Sequence, residues 1–350
     1  MCGILGSIGQ FDTINSDTFY KALIRSNYRG PDYSDSHNFI SNNNQVFLGH
    51  NRLSIIDLNP TGNQPKTSHS KNNMIIFNGE IYNHLELRNK FPSDFNWSSS
   101  SDTETLIELI EKFGIAQTLS MIRGMFAFAV YDFKKDIVTI ARDISGEKPL
   151  YLYFHEKGLI FSSDLNSPSR LGMPSKKINQ TAINQLLKFN YIPAPICIFQ
   201  STFKLPAASF IAIDLKKFKH QTFKSFSDLI CANGIEFQKF WSMPEQVDQF
   251  SNSCSLSEVT KKTEQLLEEA IAMQQLSDVP LGAFLSGGID SSLVVALMQK
   301  NSSSRIKTFN IGFEFDAYDE SPHALKIAKH LGTDHFSTKC TKEEALKIIP

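Results

Sequence analysis

Five cysteines are few for 350 residues, and Cys2, Cys197, Cys231, Cys254 and Cys340 are odd in number, scattered, and without a CxxC pair. A disulfide framework is excluded and a reducing compartment expected. No apolar run reaches the roughly eighteen residues of a membrane span. The N-terminus has no basic segment ahead of an apolar stretch, and Asp12 and Asp17 follow soon after, so no signal peptide is expected. Neither sign of charge is in surplus. A net charge of −1 gives nucleic acid or an anionic membrane no general attraction. Internal repeats and low-complexity segments are missing, and the histidines, His50 and His84 among them, fall in no metal-ligand spacing. What remains is 41% hydrophobic and 20% charged, which suits a soluble, cytoplasmic, globular chain long enough for two domains.

Taken in order, residues 3–9 read as a strand and Thr18–Arg25 as a short helix. Val46–Ile56 reads as a strand interrupted at Gly49–Arg52. Met74–Phe77 is an apolar strand followed directly by Asn78-Gly79-Glu80, and His84–Lys90 looks helical. Ser101 and Glu104 stand at capping-box spacing before an apolar helical face of Leu106, Ile107, Leu109 and Ile110. Strands follow at 125–131, 137–141, 150–154 and 159–161. Residues 2–215 therefore read as an α+β domain with layered sheets, and the polar stretch 216–256 as a connecting segment. From residue 257 strands and helices alternate: helix 257–276 with Val259, Leu266, Leu267, Ala270 and Ile271 on one face, strand 279–285, helix 292–299, strand 306–311, helix 323–331 and a short strand at 335–337. That alternation predicts a parallel sheet over 257–350.

Two places carry chemistry. Cys2 becomes the first residue if Met1 is removed, and then holds a thiol and a free α-amine on one Cα. That amine has an ordinary pKa of roughly 7.7–8.0 and can act as a base. Taken alone, Cys2 reads more simply as a small residue that permits Met removal. The second place is Leu285-Ser286-Gly287-Gly288-Ile289-Asp290-Ser291-Ser292, between an apolar strand and an apolar helix. Its glycines expose backbone N–H groups, its serines add hydroxyls, and the helix directs its positive end at the loop. It reads as a phosphate cradle, with Asp290 placed to ligate Mg2+. The GK[ST] ending of the common P-loop is absent. A plain strand-to-helix turn with capping serines is the alternative.

Ser286-Gly287-Gly288-Ile289-Asp290-Ser291 resembles the SGGxDS pyrophosphate loop of ATP pyrophosphatases. With an N-terminal Cys domain ahead of it, the chain resembles glutamine-hydrolysing asparagine synthetases of the bacterial B type, within the class II glutamine amidotransferases. The resemblance implies a four-layer αββα N-terminal-nucleophile hydrolase fold, followed by the first part of an α/β parallel-sheet ATP-pyrophosphatase domain. It implies ATP and Mg2+ as cofactors and glutamine and aspartate as substrates, with no nucleic-acid or membrane partner and a possible homodimer. In that family a Cys2 thioester releases ammonia from glutamine, and the ammonia passes inside the protein to displace AMP from an aspartyl-adenylate.

Asn78-Gly79-Glu80-Ile81-Tyr82-Asn83 matches the family's NGEIYN signature. The Asn78 amide and the Gly79 N–H would form an oxyanion hole beside Cys2, although Asn-Gly alone is commonly a hairpin turn. By the same resemblance Arg52, in the run Arg52-Leu53-Ser54-Ile55-Ile56, clamps the glutamine carboxylate, and Asp102 with Glu80 nearby holds its α-ammonium. Leu285 and Ile311 would flank adenine, with Ser286, Gly287, Gly288, Asp290 and Ser291 around the phosphates. Arg29-Gly30-Pro31-Asp32 matches a loop closing over glutamine, with Tyr28 where the family has His, and Gly146–Tyr151 matches as fold and interface elements. The family continues beyond the equivalent of Pro350 with an acidic, Gly-rich motif and a helical region. Alternatives are an amidotransferase acting on another carboxylate in surface-polysaccharide synthesis, a glutaminase alone, or an inactive, non-catalytic relative.

Overall fold

Apolar residues dominate the first strand, β1 (Gly3–Gly9), which is buried along its whole length. Helix α1 (Ser16–Ile24) starts at a capping box: the Asn15 side chain accepts from the Thr18 N–H, and the Thr18 hydroxyl accepts from the Asn15 N–H. The chain continues through β2 (Tyr33–Ser41), β3 (Asn44–Arg52), β4 (Lys66–Thr67), β5 (Asn73–Ile81) and α2 (His84–Arg88). Next come α3 (Asp102–Phe113), α4 (Ile115–Met121), β6 (Gly124–Asp132), β7 (Ile137–Arg142), β8 (Tyr151–His155) and β9 (Gly158–Ser162). Then α5 (Gln180–Phe189), β10 (Thr202–Lys204), β11 (Ser209–Asp214), α6 (Phe226–Ile230) and β12 (Ile235–Lys239) complete the first unit, Met1–Pro244. The computed structural model describes residues 1–171, 177–244, 255–315, 317 and 319–348.

Two six-stranded sheets result, ordered β10-β8-β9-β1-β3-β2 and β12-β11-β7-β6-β5-β4, with antiparallel pairing throughout. Period-two alternation sorts their side chains into layers. Ile4, Ile8, Val46 and Leu48 from one sheet meet Met74, Ile76, Ala127 and Ile140 from the other in a shared core. On the outer face of the second sheet Ile75, Phe77 and Phe128 pack on Leu106, Ile107 and Leu109 of α3. On the outer face of the first, Leu5 and Phe47 pack on Phe19, Ala22 and Leu23 of α1. Helix, sheet, sheet and helix make four layers, as the resemblance implies.

In the second unit, Glu245–Pro350, the described residues form α7 (Leu256–Met273), β13 (Gly282–Phe284), α8 (Ile289–Lys300), β14 (Lys307–Phe313), α9 (Ser321–Leu331), β15 (Asp334–Cys340) and α10 (Lys342–Ile348). The three strands pair in parallel in the order β13-β14-β15. Leu285 packs with Val295 of α8 and Ala324 and Ala328 of α9, while Phe284, Phe309, Ile311 and Phe336 on the other face stay exposed. No helix among the described residues is long and apolar enough to cross a membrane.

Several elements differ from expectation. Strand β3 runs unbroken through Gly49–Arg52 because it pairs with β1 on one side and β2 on the other. Strand β5 continues past Phe77 to Ile81, pairing Asn78 with Ala127 and Gly79 with Phe126, so Asn78-Gly79 lies inside a strand rather than after one. The stretch 216–256 is not simply a connection: α6 forms within it, and β12 pairs with β11 from Ile235 to Lys239, extending the second sheet beyond residue 215. Strand β13 is shorter than expected because Pro280 has no N–H to give the ladder. The expected apolar face of α7 is mostly bare, with Val259 and Leu266 exposed.

Candidate active site

Strand β1 begins directly after Cys2, and Cys2 lines a pocket together with Phe77, Asn78, Gly79 and Glu80 from the end of β5. Met74 and Ile76 belong to the core between the sheets, and Ile75 and Phe77 to the helix side. The same alternation puts Asn78 and Glu80 on the inter-sheet face. Asn78 is 1% exposed, and among the described residues neither its Nδ2 nor its Oδ1 has a hydrogen-bond partner. A buried amide left unpaired costs on the order of 1–3 kcal/mol, so this side chain is set to meet a ligand.

Backbone groups on the free edge of β5 follow the same parity. The Phe77 N–H donates to Gln64 Oε1 at 2.6 Å and the Ile81 N–H to Asp102 Oδ2 at 2.9 Å, so both point away from β6. Gly79 lies midway between them, and its N–H faces the same edge, where Gly79 lines the pocket. Glycine is required here by close approach: a Cβ would lie 2.2 Å from the Met125 carbonyl oxygen and 2.7 Å from Phe126 Cα. Asn78 and Gly79 thus bring two donors to one pocket, one side chain and one backbone, a pairing that can hold an oxygen that acquires negative charge.

Cys2 Sγ receives the Leu53 N–H at 3.4 Å and lies 3.7 Å from the Leu53 carbonyl oxygen. Burial pushes the Cys2 thiol up, with the Leu53 N–H opposing, so the sulfur needs a base to become a nucleophile. The α-amine of Met1 is held below its ordinary value, chiefly by burial. Arg29 Nε donates to the Cys2 carbonyl at 3.1 Å, and Asp32 Oδ2 accepts the Ser54 N–H at 2.7 Å, so the Arg29–Asp32 loop is tied to both sides of the nucleophile. Tyr28 is exposed.

Leu53, Ile55, Ile56, Glu80 and Asp102 line the pocket with Arg52. Ser54 contributes a backbone contact to Asp32 rather than a wall. Arg52 is 5% exposed, and four of its five N–H donors are occupied by the loop that follows: Nη1 reaches the Asn59 carbonyl and Asn63 Oδ1, and Nη2 the carbonyls of Ile56 and Asp57. The guanidinium that the resemblance makes a carboxylate clamp is therefore occupied, and a two-point hold on a carboxylate requires exchange of some of these bonds. Asp102, first residue of α3 behind the cap Ser101, is pushed up to about 7 by burial, with the nearby Glu80 charge adding and the Ile81 N–H opposing. Glu80 is raised by burial, with Lys148 opposing. Gln64, Thr103, Met125 and Lys148 also line the pocket and were not expected from the sequence. Lys148, read as a fold element, is buried and held below its ordinary value by that burial. Its Gly-Glu-Lys-Pro setting is the signal that could have found it.

In the second unit, Ser286–Gly288 links β13 to α8. The Ser286 and Ser291 hydroxyls are 2.9 Å apart, the Ser286 hydroxyl accepts the Gly288 N–H at 3.2 Å, and Ser292 Oγ donates to the Gly288 carbonyl at 2.6 Å. Gly287 has φ +92°, a conformation side chains rarely adopt, and a Cβ there would lie 2.8 Å from His323 Cβ. Asp290 sits in the first turn of α8. No group of three or more His, Cys, Asp or Glu side chains suited to a metal occurs among the described residues. A lone carboxylate suits Mg2+ carried largely on phosphates, not an all-protein metal centre. The expected adenine pair separates: Leu285 is buried against α8 and α9, whereas Ile311 is exposed on the other face of the sheet.

Residues 1–224 match the family model for the glutamine amidotransferase domain, and residues 262–350 match that for asparagine synthase. A Methanocaldococcus jannaschii protein named as a putative glutamine-hydrolysing asparagine synthetase is 34% identical over 96% of this chain and 64% of its own length. A Bacillus subtilis glutamine-hydrolysing asparagine synthetase is 29% identical over 100% of this chain and 52% of its own. A Gibberella zeae protein named amidase chry2 is 29% identical over 90% of this chain and 46% of its own. The chain thus spans about half to two thirds of the length of these relatives.

Proposed function

This chain belongs to the glutamine amidotransferase domain family, and from that premise we propose that Cys2 hydrolyses the side-chain amide of glutamine to supply ammonia for an ATP-dependent amide synthesis, with aspartate as acceptor and asparagine as product. The observation that carries the first half is the unpartnered, buried Asn78 amide in the pocket that Cys2 lines.

With Met1 removed, the Cys2 α-amine takes the thiol proton as Sγ attacks the amide carbon. A C–S bond forms, and the carbonyl π electrons move onto oxygen, where Asn78 Nδ2 and the Gly79 N–H hold the charge. The resulting α-ammonium returns its proton to the leaving nitrogen, and ammonia departs as the carbonyl re-forms in a γ-glutamyl thioester. Water then attacks the thioester, giving glutamate and restoring the thiol. Asp102, with Glu80 beside it, holds the glutamine α-ammonium, and Arg52, by exchanging loop carbonyls, the α-carboxylate; the pocket walls are Leu53, Ile55 and Ile56. In the second unit, Ser286, Gly287, Gly288 and Ser291 cradle the phosphates of ATP at the N-terminus of α8 while a carboxylate oxygen attacks the α-phosphorus and pyrophosphate leaves. Asp290 would hold Mg2+, whose charge neutralises the phosphates. Ammonia then displaces AMP from the acyl-adenylate. A cytoplasmic, homodimeric protein is in keeping with this reading.

Incubation with glutamine, ATP, Mg2+ and aspartate tests it: asparagine, AMP and glutamate are expected. Glutamate without AMP would refute the synthetase half. The likeness to a protein named as an amidase favours a second reading, in which amide hydrolysis is not coupled to synthesis; glutamate released with no AMP formed, whatever acid is supplied, would establish it.

A further inference from the structure

Strand β5 has a defect on its free edge. On one side it pairs with β6 from Asn73 to Ile81, but on the other β4 covers only Met74 and Ile75. Phe77 is the next residue whose peptide groups face outward, and no strand among the described residues reaches it. The side-chain amide of Gln64 takes the place of one: Oε1 accepts the Phe77 N–H at 2.6 Å, and Nε2 reaches the Phe77 carbonyl at 3.2 Å. Nε2 also donates to Thr103 Oγ1 at 3.2 Å, tying the amide to α3. His50 Nε2 donates to the same Phe77 carbonyl at 3.0 Å from β3. A carbonyl can only accept, so the proton is on Nε2, and burial keeps the ring neutral. Gln64 is 5% exposed and lines the Cys2 pocket.

Phe77 immediately precedes the two proposed oxyanion donors. The plane of the Phe77–Asn78 peptide sets where the Asn78 side chain points, and the next peptide carries the Gly79 N–H. We propose that Gln64 is a positioning residue for amide hydrolysis, holding the unpaired edge of β5 so that Asn78 and Gly79 meet the oxyanion and not merely the substrate. The inference rests on the reading of Asn78 and Gly79 as oxyanion donors. Gln64 has no role as proton donor, acceptor or nucleophile.

A displaced oxyanion hole weakens the transition state more than the bound amide, and a misplacement of the order of 1 Å costs about 10²-fold. Gln64→Ala should therefore lower kcat for glutamate release about 10²-fold with KM little changed. L-glutamate γ-semialdehyde, whose hemithioacetal with Cys2 places an oxygen in the same site, should bind the variant more weakly by the same factor, while glutamate binds as before. A merely structural role would weaken the semialdehyde and glutamate alike. Gln64→Glu, nearly isosteric, keeps the acceptor for the Phe77 N–H and loses the donor to its carbonyl; it serves as the second variant if alanine unfolds the protein, and the same selective loss is expected. Variants that stay folded with unchanged kcat, or that lose glutamate and semialdehyde affinity equally, overturn the inference while wild-type activity preserves the reading of the site. A wild-type protein that neither releases glutamate nor binds the semialdehyde overturns both.

Discussion

Replacing Asp102 with Asn separates what this carboxylate does for substrate from what it costs the fold. The group is 5% exposed, and burial raises its pKa from an ordinary 3.8 to about 7, the Glu80 charge contributing and the Ile81 N–H opposing. Because the folded value lies above the unfolded one, the folded protein holds this proton more tightly. The associated stabilisation is complete below about pH 4 and is lost as pH rises through about 7. At pH 8 the ionised, unliganded carboxylate therefore costs on the order of 4 kcal/mol relative to its neutral form. Asn is neutral, has nearly the same shape, and keeps an oxygen to accept the Ile81 N–H. Asp102→Asn should accordingly raise Tm at pH 8 by several degrees, with the gain shrinking towards pH 5. The substrate ammonium would lose its buried counter-charge, at a cost of about 2 kcal/mol or more, so the glutamine KM should rise at least about 30-fold. Thermal unfolding from pH 5 to 8, with and without glutamine, reads both effects: glutamine should stabilise wild type at pH 8 and leave the variant unmoved. A variant no more stable than wild type at pH 8, or one with an unchanged KM, would rule out this double role for Asp102.

Asn78→Ala should cut kcat for glutamate release by about 10²–10³-fold, as for loss of one oxyanion donor. Its Tm should not fall, because the amide it removes has no partner among the described residues; a large stability loss in unfolding curves would contradict this. Arg52→Lys replaces a planar fork that satisfies four loop acceptors with a single ammonium. Limited proteolysis should find the 56–63 loop cut faster, and steady-state kinetics should show a raised glutamine KM; resistance equal to wild type would count against the loop-organising role. Gly287→Ala forces a side chain into φ +92° against His323 and should weaken nucleotide binding, measured by calorimetry, while leaving glutamate release intact. Equal ATP affinity would argue against the cradle.

Local sequence signals placed most elements because the responsible forces are local. Periodicity marked β1, α3 and the strand–helix alternation after residue 257, and Ser101 opened α3 as its spacing suggested. What sequence missed depends on partners far along the chain. Asn78-Gly79 resembles a turn until β6 pairs with it across nine residues. The edge strand β12 has only Ile235 buried and carries polar Glu236, Gln238 and Lys239, so it read as connection; its strand identity comes from β11. The filled guanidinium of Arg52 follows from how the next eleven residues fold back over it. That Leu285 and Ile311 lie on opposite faces of their sheet follows from strand parity, which the loop motif alone does not carry. Gln64 carries no periodic or motif signal, since its use arises only where a strand edge lacks a neighbour.

Everything proposed for the first unit turns on Cys2, as the first residue, forming an acyl-enzyme with glutamine. Acid-quenched protein incubated with glutamine, digested and weighed by mass spectrometry, tests it most directly. An N-terminal peptide should be found that begins at Cys2 and carries a glutamyl group on sulfur, absent from Cys2→Ala, which should release no glutamate. Full glutaminase activity in protein that retains Met1, or in Cys2→Ala, would contradict it.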